Sequence, residues 1–281
     1  YHGSYVLSLI AANNPGVAIG TAPHAQFYLL GTENNDSELI IEEENWIAAA
    51  EFADSAGVDV ITTSLGYFYF DDSLQNHTYD EITGNATRIT KAADIAASKG
   101  MLVLNSAGNE GNNDWRYISF PADADSIITV GAVDSLGNIA GFSSIGYPGY
   151  HIVKPNIVAQ GVRVYILATN DFLVQSSGTS FSTPIISGLA ACLWQNFPEK
   201  TNYEIIKAIE QSAHLSENPN GYYGYGIPDF AKAFHILDGT VEVSDIENID
   251  INIYPNPFID HLKVELHHLQ GNNIKVNITN I

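Results

Sequence analysis

The sequence has 281 residues, of which 32 are acidic and 11 basic, so its formal net charge is −21 at pH 7. That length is enough for one large domain with a sizeable core and a smaller second unit. Because phosphate groups would be repelled, the charge argues against nucleic acid or an anionic membrane as a partner. The single cysteine, Cys192, excludes an intrachain disulfide and a zinc site built from cysteines. No apolar run approaches the roughly 18 residues that a membrane span requires.

Helical and strand-like segments alternate along the first 237 residues. Helical spacing of apolar side chains predicts helices over residues 7–12, 38–56, 88–99, 185–197, 202–212 and 229–237. Short apolar runs predict strands over residues 25–30, 58–63, 101–105, 127–133, 154–158 and 162–168. Residues 67–85 lack periodicity and are predicted to form a surface loop. The alternation predicts an α/β fold, in which helices flank a mainly parallel sheet.

Polar and glycine-containing stretches directly follow two of the predicted strands. These stretches are Ser64-Leu65-Gly66 and Ala107-Gly108-Asn109. In a parallel sheet, functional residues collect at the carboxyl ends of the strands. We therefore expect a site at this edge of the sheet.

A third stretch, Gly178-Thr179-Ser180, precedes an apolar segment that is predicted to be a buried helix. Pro184 is expected in the first turn of that helix, where a missing N–H is tolerated. The apolar residues at helical spacing are Ile185, Leu189, Cys192 and Leu193. Free N–H groups at a helix N-terminus favour an oxyanion. The alternative interpretation is that Thr179 and Ser180 simply cap the helix.

A serine that cleaves peptide bonds needs a base, a group that orients the base, and donors for the oxyanion. Ser180 is the candidate nucleophile and His2 the candidate base. The side-chain amide of Asn109 and the backbone N–H of Ser180 are candidate oxyanion donors. No orienting carboxylate is assigned, since Asp36 and Asp59 both follow the histidine in the chain.

Four sequence blocks resemble those of the subtilisin-like serine proteases (subtilases), and they occur in that family's order. The blocks are His2-Gly3-x-x-Val6, Ser64-Leu65-Gly66, Ala107-Gly108-Asn109-Glu110-Gly111 and Gly178-Thr179-Ser180-x-Ser182-Thr183-Pro184. The resemblance covers about residues 1–237 and implies a secreted endopeptidase that forms an acyl-enzyme on Ser180. It implies that Ser64, Leu65 and Gly66 bind substrate backbone, and that Ala107 and Gly108 line a side-chain pocket.

The same resemblance implies protein or peptide substrates and no cofactor for catalysis. Structural calcium is possible, and oxygen ligands could come from Asp71, Asp72, Asp123 or Asp125, although no ligand set stands out. The family's catalytic aspartate precedes the histidine block. We therefore expect it upstream of Tyr1, in a chain that is a fragment cut at both ends.

The composition changes after residue 237. Residues 238–250 are acidic and are predicted to form a linker. Residues 251–281 alternate polar and apolar side chains, as expected for the start of a small β-sandwich-like domain. Tyr254-Pro255-Asn256-Pro257 resembles the opening of the C-terminal sorting domain of proteins exported by the type IX system of Bacteroidetes-type bacteria. This second resemblance implies contact with the secretion machinery, and a protein that is secreted or held at the outer cell surface.

Two other functions compete with the endopeptidase. A subtilase-like pseudoenzyme would hold peptides in the groove without cutting them, and an Asp-x-Gly motif upstream of Tyr1 would argue against it. An unrelated α/β hydrolase is disfavoured because Ser180 lacks the Gly-x-Ser-x-Gly turn and because the histidine comes first.

Overall fold

The computed structural model describes residues 1–34, 36–168 and 172–240, and the backbone of residues 251–254 and 263–266. The chain divides into two units, Tyr1–Thr240 and Val241–Ile281. The α-helices described are α1 (His2–Ala11), α2 (Ile41–Ala56), α3 (Arg88–Ser98), α4 (Thr179–Gln195), α5 (Asn202–Ser212) and α6 (Phe230–Asp238). The strands are β1 (Asn13–Asn14), β2 (Ala18–Ile19), β3 (Val60–Thr63), β4 (Leu102–Ser106), β5 (Ile128–Val133), β6 (Ile157–Gln160), β7 (Val164–Leu167), β8 (Leu173–Ser176), β9 (Ile251–Tyr254) and β10 (Lys263–Leu266).

The central sheet of the first unit is parallel and contains β3, β4, β5 and β6, side by side in chain order. Every residue of β4 and β5 is buried. Burial on both faces explains their continuous apolar sequences, since helices shield the two sides of a parallel sheet. The predicted α/β fold with a helix-flanked parallel sheet is confirmed.

Helices cover the two faces of this sheet with different sets of side chains. On one face, Trp46 of α2 and Ala93 of α3 belong to the same buried cluster as Val103 of β4. On the other face, Leu104 of β4 packs with the cluster that contains Ile186 of α4. Alternate residues of β4 thus point into two separate cores, as the pleat of a strand requires.

Local capping explains why several helices lie close to their predicted positions. Thr87 accepts a hydrogen bond from the backbone of Thr90 at the start of α3, and Gly100 follows that helix with φ of 101°. Thr201 and Glu204 form a capping box at the start of α5. These groups satisfy backbone donors and acceptors that a helix end leaves free.

The prediction of a strand over residues 25–30 is wrong. The backbone there is irregular, and Phe27, Tyr28, Leu29 and Leu30 are exposed. In the described part of the chain this segment pairs with no strand. An apolar run forms a strand only where a neighbouring strand accepts its hydrogen bonds. Conversely, β8 was not predicted, and it forms an antiparallel pair with β7.

The prediction of a surface loop over residues 67–85 is also wrong in part, because Tyr67, Phe70, His77 and Ile82 are buried. His77 Nε2 lies 2.6 Å from a carboxylate oxygen of Glu43 on α2.

A second carboxylate and two aromatic rings surround the same histidine. Its Nδ1 lies 3.5 Å from Glu81, and its ring packs against Phe70 and Phe120. Aromatic packing and a buried ion pair therefore hold this segment to α2, although its sequence has no regular period.

In the second unit, β9 and β10 form an antiparallel pair with Ile251 opposite Leu266. The predicted strand over residues 274–278 and residues 255–257 of the sorting-domain resemblance lie outside the described residues. The three-part domain division and the β-sandwich-like domain stay predictions. No helix among the described residues is long and apolar enough to cross a bilayer.

We expect His77→Gln to destabilise the protein by about 1.5–3 kcal/mol, the range for a hydrogen bond to a charged group. Burial alone would lower the pKa of His77, but the hydrogen bond and charge of Glu43, with the charge of Glu81, raise it overall. The contribution of the pair is therefore complete below the ordinary histidine pKa of about 6.5 and is lost as pH rises through the raised pKa.

Urea denaturation of the two proteins at a series of pH values measures this difference, with the exposed His24→Gln as control. A difference in unfolding free energy that grew with rising pH would contradict the ion pair.

Candidate active site

The first turn of α4 meets the carboxyl end of β3 through two serines. Ser64 directly follows β3, and its hydroxyl donates a hydrogen bond to the carbonyl oxygen of Ser180 at 2.9 Å. The Ser180 hydroxyl lies 3.5 Å from the carbonyl oxygen of Ser64. The predicted nucleophile thus lies at the edge of the sheet, facing the predicted substrate-binding stretch.

Pro184 explains why the carbonyl of Ser180 needs a partner outside the helix. The helix begins at Thr179, so Pro184 is inside it rather than in its first turn as predicted. Proline has no N–H, and the carbonyl four residues before it loses its usual helical donor. That carbonyl belongs to Ser180, and the Ser64 hydroxyl supplies a replacement hydrogen bond.

The buried face of α4 also differs from the prediction. Ile186, Ala190 and Leu193 are buried, whereas Cys192, which was expected on the apolar face, is exposed. The helix packs against all four strands of the parallel sheet and against α1, so contacts on more than one side decide which residues are buried.

The side-chain amide of Asn109 has a defined orientation. Its oxygen accepts hydrogen bonds from the backbone N–H of Thr179 at 2.9 Å and from the Thr179 hydroxyl at 3.1 Å. The same hydroxyl accepts from the N–H of Gly108 at 3.2 Å. Because a backbone N–H can only donate, the amide oxygen must face Thr179. The amide nitrogen of the exposed Asn109 is left as a donor beside the start of α4.

His2 is the first residue of α1, which packs against α4. Its ring lies next to that of Phe181, with 6.2 Å between the ring centroids. Partial burial lowers the pKa of His2 and favours the neutral imidazole. Within the described residues, the ring makes no hydrogen bond to Ser180 or to a carboxylate.

Gly66 of the predicted backbone-binding stretch and Gly108 of the predicted pocket both lie against the buried side chain of Ser119. A Cβ atom on Gly66 would overlap the hydroxyl of Ser119, and one on Gly108 would lie 3.2 Å from it. The backbone carbonyl of Leu65 accepts a hydrogen bond from the side-chain amide of Asn105 at 3.2 Å. The floor formed by Ser119 was missed at the sequence level, since its stretch carries no motif.

The structure also brings together three carboxylates that sequence reasoning did not single out. Oxygens of Glu33, Glu38 and Glu42 all lie within 4.8 Å of one another. Burial and the charges of the other two glutamates, with that of Asp71, raise the pKa of Glu38. Such a group has the hard oxygen ligands that calcium prefers.

The carboxylates named earlier as possible calcium ligands have partners within the protein. Asp123 accepts from Thr90 at 2.6 Å and from the N–H of Gly84 at 3.0 Å. Asp72 accepts from the backbone of Leu74 at 3.1 Å. Structural calcium stays a prediction.

We expect Ser64→Ala to lower the free energy of unfolding by about 1 kcal/mol, because the carbonyl of Ser180 loses a donor that the helix cannot replace. Denaturation in urea measures the change. Ser55→Ala, which removes an exposed hydroxyl bonded to the Phe52 carbonyl within α2, is the matched control. Equal stability of Ser64→Ala and the unchanged protein would contradict the role assigned to this hydrogen bond.

Comparisons with known proteins agree with the fold described above. The subtilase family model matches residues 1–226. Subtilisin DY of Bacillus licheniformis is 30% identical over 229 residues, which cover 80% of this chain and 74% of that protein. Subtilisin E of Bacillus subtilis (strain 168) is 31% identical over 229 residues, which span 54% of its length. The chain therefore spans only about half of several of its curated relatives.

Solved structures show the same fold at lower sequence identity. The prenylagaramide maturation protease PagA superposes with a TM-score of 0.69 at 24% identity, covering 85% of this chain and 83% of its own. MycP1 without its N-terminal propeptide superposes with a TM-score of 0.65 at 23% identity, covering 83% of this chain and 78% of its own.

Proposed function

Because the chain belongs to the subtilase family of serine proteases, we propose that it is an endopeptidase with Ser180 as its nucleophile. The observation that carries the proposal is the fixed amide of Asn109 beside the first turn of α4. Its nitrogen and the backbone N–H of Ser180 are the two donors of an oxyanion hole. His2 is the general base, and its lowered pKa keeps it ready to accept a proton.

In the proposed reaction, the Ser180 oxygen attacks the carbonyl carbon of the peptide bond, and its proton passes to His2. The negative charge that develops on the carbonyl oxygen is stabilised by the two N–H donors. His2 then gives the proton to the leaving amine, and an acyl-enzyme on Ser180 remains. Water, deprotonated by His2, releases the second product and regenerates the serine.

The substrate chain is proposed to run along residues 64–66, where the carbonyl of Ser64 faces the nucleophile. Ala107 and Gly108 form the side of the pocket for the side chain before the cleaved bond. Ser119, which fills the space beneath Gly66 and Gly108, limits the depth of that pocket. We assign the role of orienting carboxylate to no residue of this chain.

We expect a fluorophosphonate probe to label the native full-length protein, because an activated serine oxygen attacks phosphorus as it attacks a carbonyl carbon. Labelling should vanish in Ser180→Ala and persist in Ser177→Ala, whose exposed hydroxyl lies close by in the chain. Mass spectrometry of the labelled peptide identifies the serine. Folded but unlabelled protein would contradict the proposal and favour a groove that holds peptides without cutting them.

We expect Asn109→Ala to lower kcat by about 10²–10³ with little change in KM, because the lost hydrogen bond acts in the transition state. That range is the one measured for an oxyanion-hole asparagine in subtilisin, a relative of this chain. Steady-state kinetics with a chromogenic peptide measure the change. Asn113→Ala is the control, since the exposed Asn113 bonds only to Glu110 among the described contacts. A fall in kcat of less than about fivefold would show that Asn109 is not a donor of the oxyanion hole.

We further propose that the protein is exported and that residues 251–281 engage the secretion machinery. The support is the Tyr254-Pro255-Asn256-Pro257 opening. Expression of the full-length protein, with and without everything after residue 250, in the native cells tests this. Retention of the shortened protein inside the cells is expected, and equal export of both would contradict the proposal.

A further inference from the structure

A buried hydroxyl without a hydrogen-bond partner lies at the floor of the proposed substrate pocket. Ser119 is 2% exposed, and among the described residues nothing forms a hydrogen bond with its Oγ. Buried polar groups in folded proteins are nearly always paired, because an unpaired one lowers stability. An unpaired hydroxyl beneath a substrate groove is therefore a candidate for a contact that only the substrate completes.

Backbone hydrogen bonds on both sides of Ser119 fix the position of its side chain. The N–H of Ile118 donates to the carbonyl of Ile145 at 2.9 Å. Phe120 exchanges two backbone hydrogen bonds with Tyr67, at 2.9 and 3.1 Å. The segment cannot withdraw from the groove without breaking these bonds. The Ser119 hydroxyl is thus a fixed feature of the pocket floor.

This hydroxyl occupies the narrow space between the two walls of the pocket. A Cβ atom on Gly66, in one wall, would overlap Ser119 Oγ. A Cβ atom on Gly108, in the other wall, would lie 3.2 Å from the same oxygen. Gly108 also has a φ of 100°, which residues with a side chain rarely adopt. Even one additional carbon atom is therefore crowded at this position, so the pocket has little depth.

A second serine hydroxyl lies against the same glycine. Ser144 Oγ would be 2.8 Å from a Cβ atom on Gly108. It accepts a hydrogen bond from the backbone N–H of Glu110 at 3.0 Å, and its own proton has no acceptor among the described hydrogen bonds. A hydroxyl group can both donate and accept, so Ser119 and Ser144 both keep unused hydrogen-bonding capacity.

The charges around these hydroxyls favour a neutral substrate side chain. The carboxylate of Glu110 accepts from the amide of Asn113 at 2.7 Å. Among the described residues, no hydrogen bond joins the hydroxyl of Ser119 or Ser144 to a charged side chain. A substrate carboxylate would in addition be repelled by a protein with a net charge of −21.

We propose that the Ser119 hydroxyl makes the protein select a small, neutral residue before the cleaved bond, and serine over alanine. The size limit follows from the oxygen between the two glycines. The preference for serine follows from its hydroxyl, which enters between the walls and gives the Ser119 hydroxyl its missing partner. Ser119 is thus a specificity-determining residue, and this inference rests on the proposed peptidase function.

Peptides that differ only in the residue before the cleaved bond test the size limit. With the unchanged protein, kcat/KM should be about 100-fold lower for phenylalanine than for alanine, because a large side chain overpacks the floor. In Ser119→Gly the obstructing oxygen is gone, and the phenylalanine-to-alanine ratio of kcat/KM should rise at least about 30-fold. Ser135→Gly, at an exposed serine, is the control and should leave the ratio unchanged. An unchanged ratio in Ser119→Gly would overturn the size limit.

The same peptides test the hydrogen bond separately from size. The serine peptide should exceed the alanine peptide about fivefold in kcat/KM, as expected for one neutral hydrogen bond. Ser119→Ala keeps most of the volume of the side chain but removes its oxygen, so this preference should disappear. Ser135→Ala should retain it. Equal serine-to-alanine ratios in the unchanged protein and in Ser119→Ala would overturn the hydrogen bond.

The unchanged full-length protein decides the matter if the variants fail to fold. It is incubated with a denatured protein substrate, and mass spectrometry of the products identifies the residue before each cleaved bond. Serine, alanine and glycine should dominate. Cleavage mainly after aromatic, long aliphatic or basic residues would overturn the inference and leave the peptidase function intact. Neither cleavage nor fluorophosphonate labelling would overturn the proposed function, and this inference with it.

Discussion

The hydrogen bonds between Thr179 and Asn109 connect the two parts of the molecule on which the site depends. One part is the turn that follows β4, and the other is the first turn of α4. The Thr179 hydroxyl also accepts a hydrogen bond from the backbone N–H of Gly108. A single buried side chain therefore joins the turn after β4 to the start of α4. Because one partner is a backbone donor, the amide of Asn109 has only one stable orientation. The position of the proposed oxyanion hole follows from that constraint.

Close packing between α4 and its neighbours brings the remaining groups into reach. A Cβ on Gly188 would overlap the side chain of Thr21, so only glycine allows the helix to approach that segment. About one turn closer to the start of the helix, Pro184 frees the carbonyl of Ser180, and the Ser64 hydroxyl donates a hydrogen bond to it. The proposed nucleophile is thus held beside the end of β3 by a hydrogen bond that comes from outside the helix.

Buried charges in this acidic protein are stabilised in two different ways. His77 lies directly against Glu43, and the pair secures an irregular segment to α2. Lys154 instead has four neutral oxygens and only distant carboxylates. Direct pairing compensates charge at short range, whereas the four oxygens around Lys154 replace the hydration shell of its ammonium group. Both arrangements lie beside the groove, through Phe120 in the first case and residues 119–129 in the second.

The sequence by itself determined the fold class, the positions of α3 and α5, and the residues that meet at the edge of the sheet, because helical period, capping residues and apolar strands are local patterns. Only the tertiary structure decided which way Asn109 points, that Ser119 lies under two glycines, and that Lys154 is buried. It also decided that residues 25–30 form no strand and that His77 is part of the core. Each of these outcomes depends on a partner far away in the chain. Pairing and burial are properties of the assembled neighbours, and no local pattern contains them.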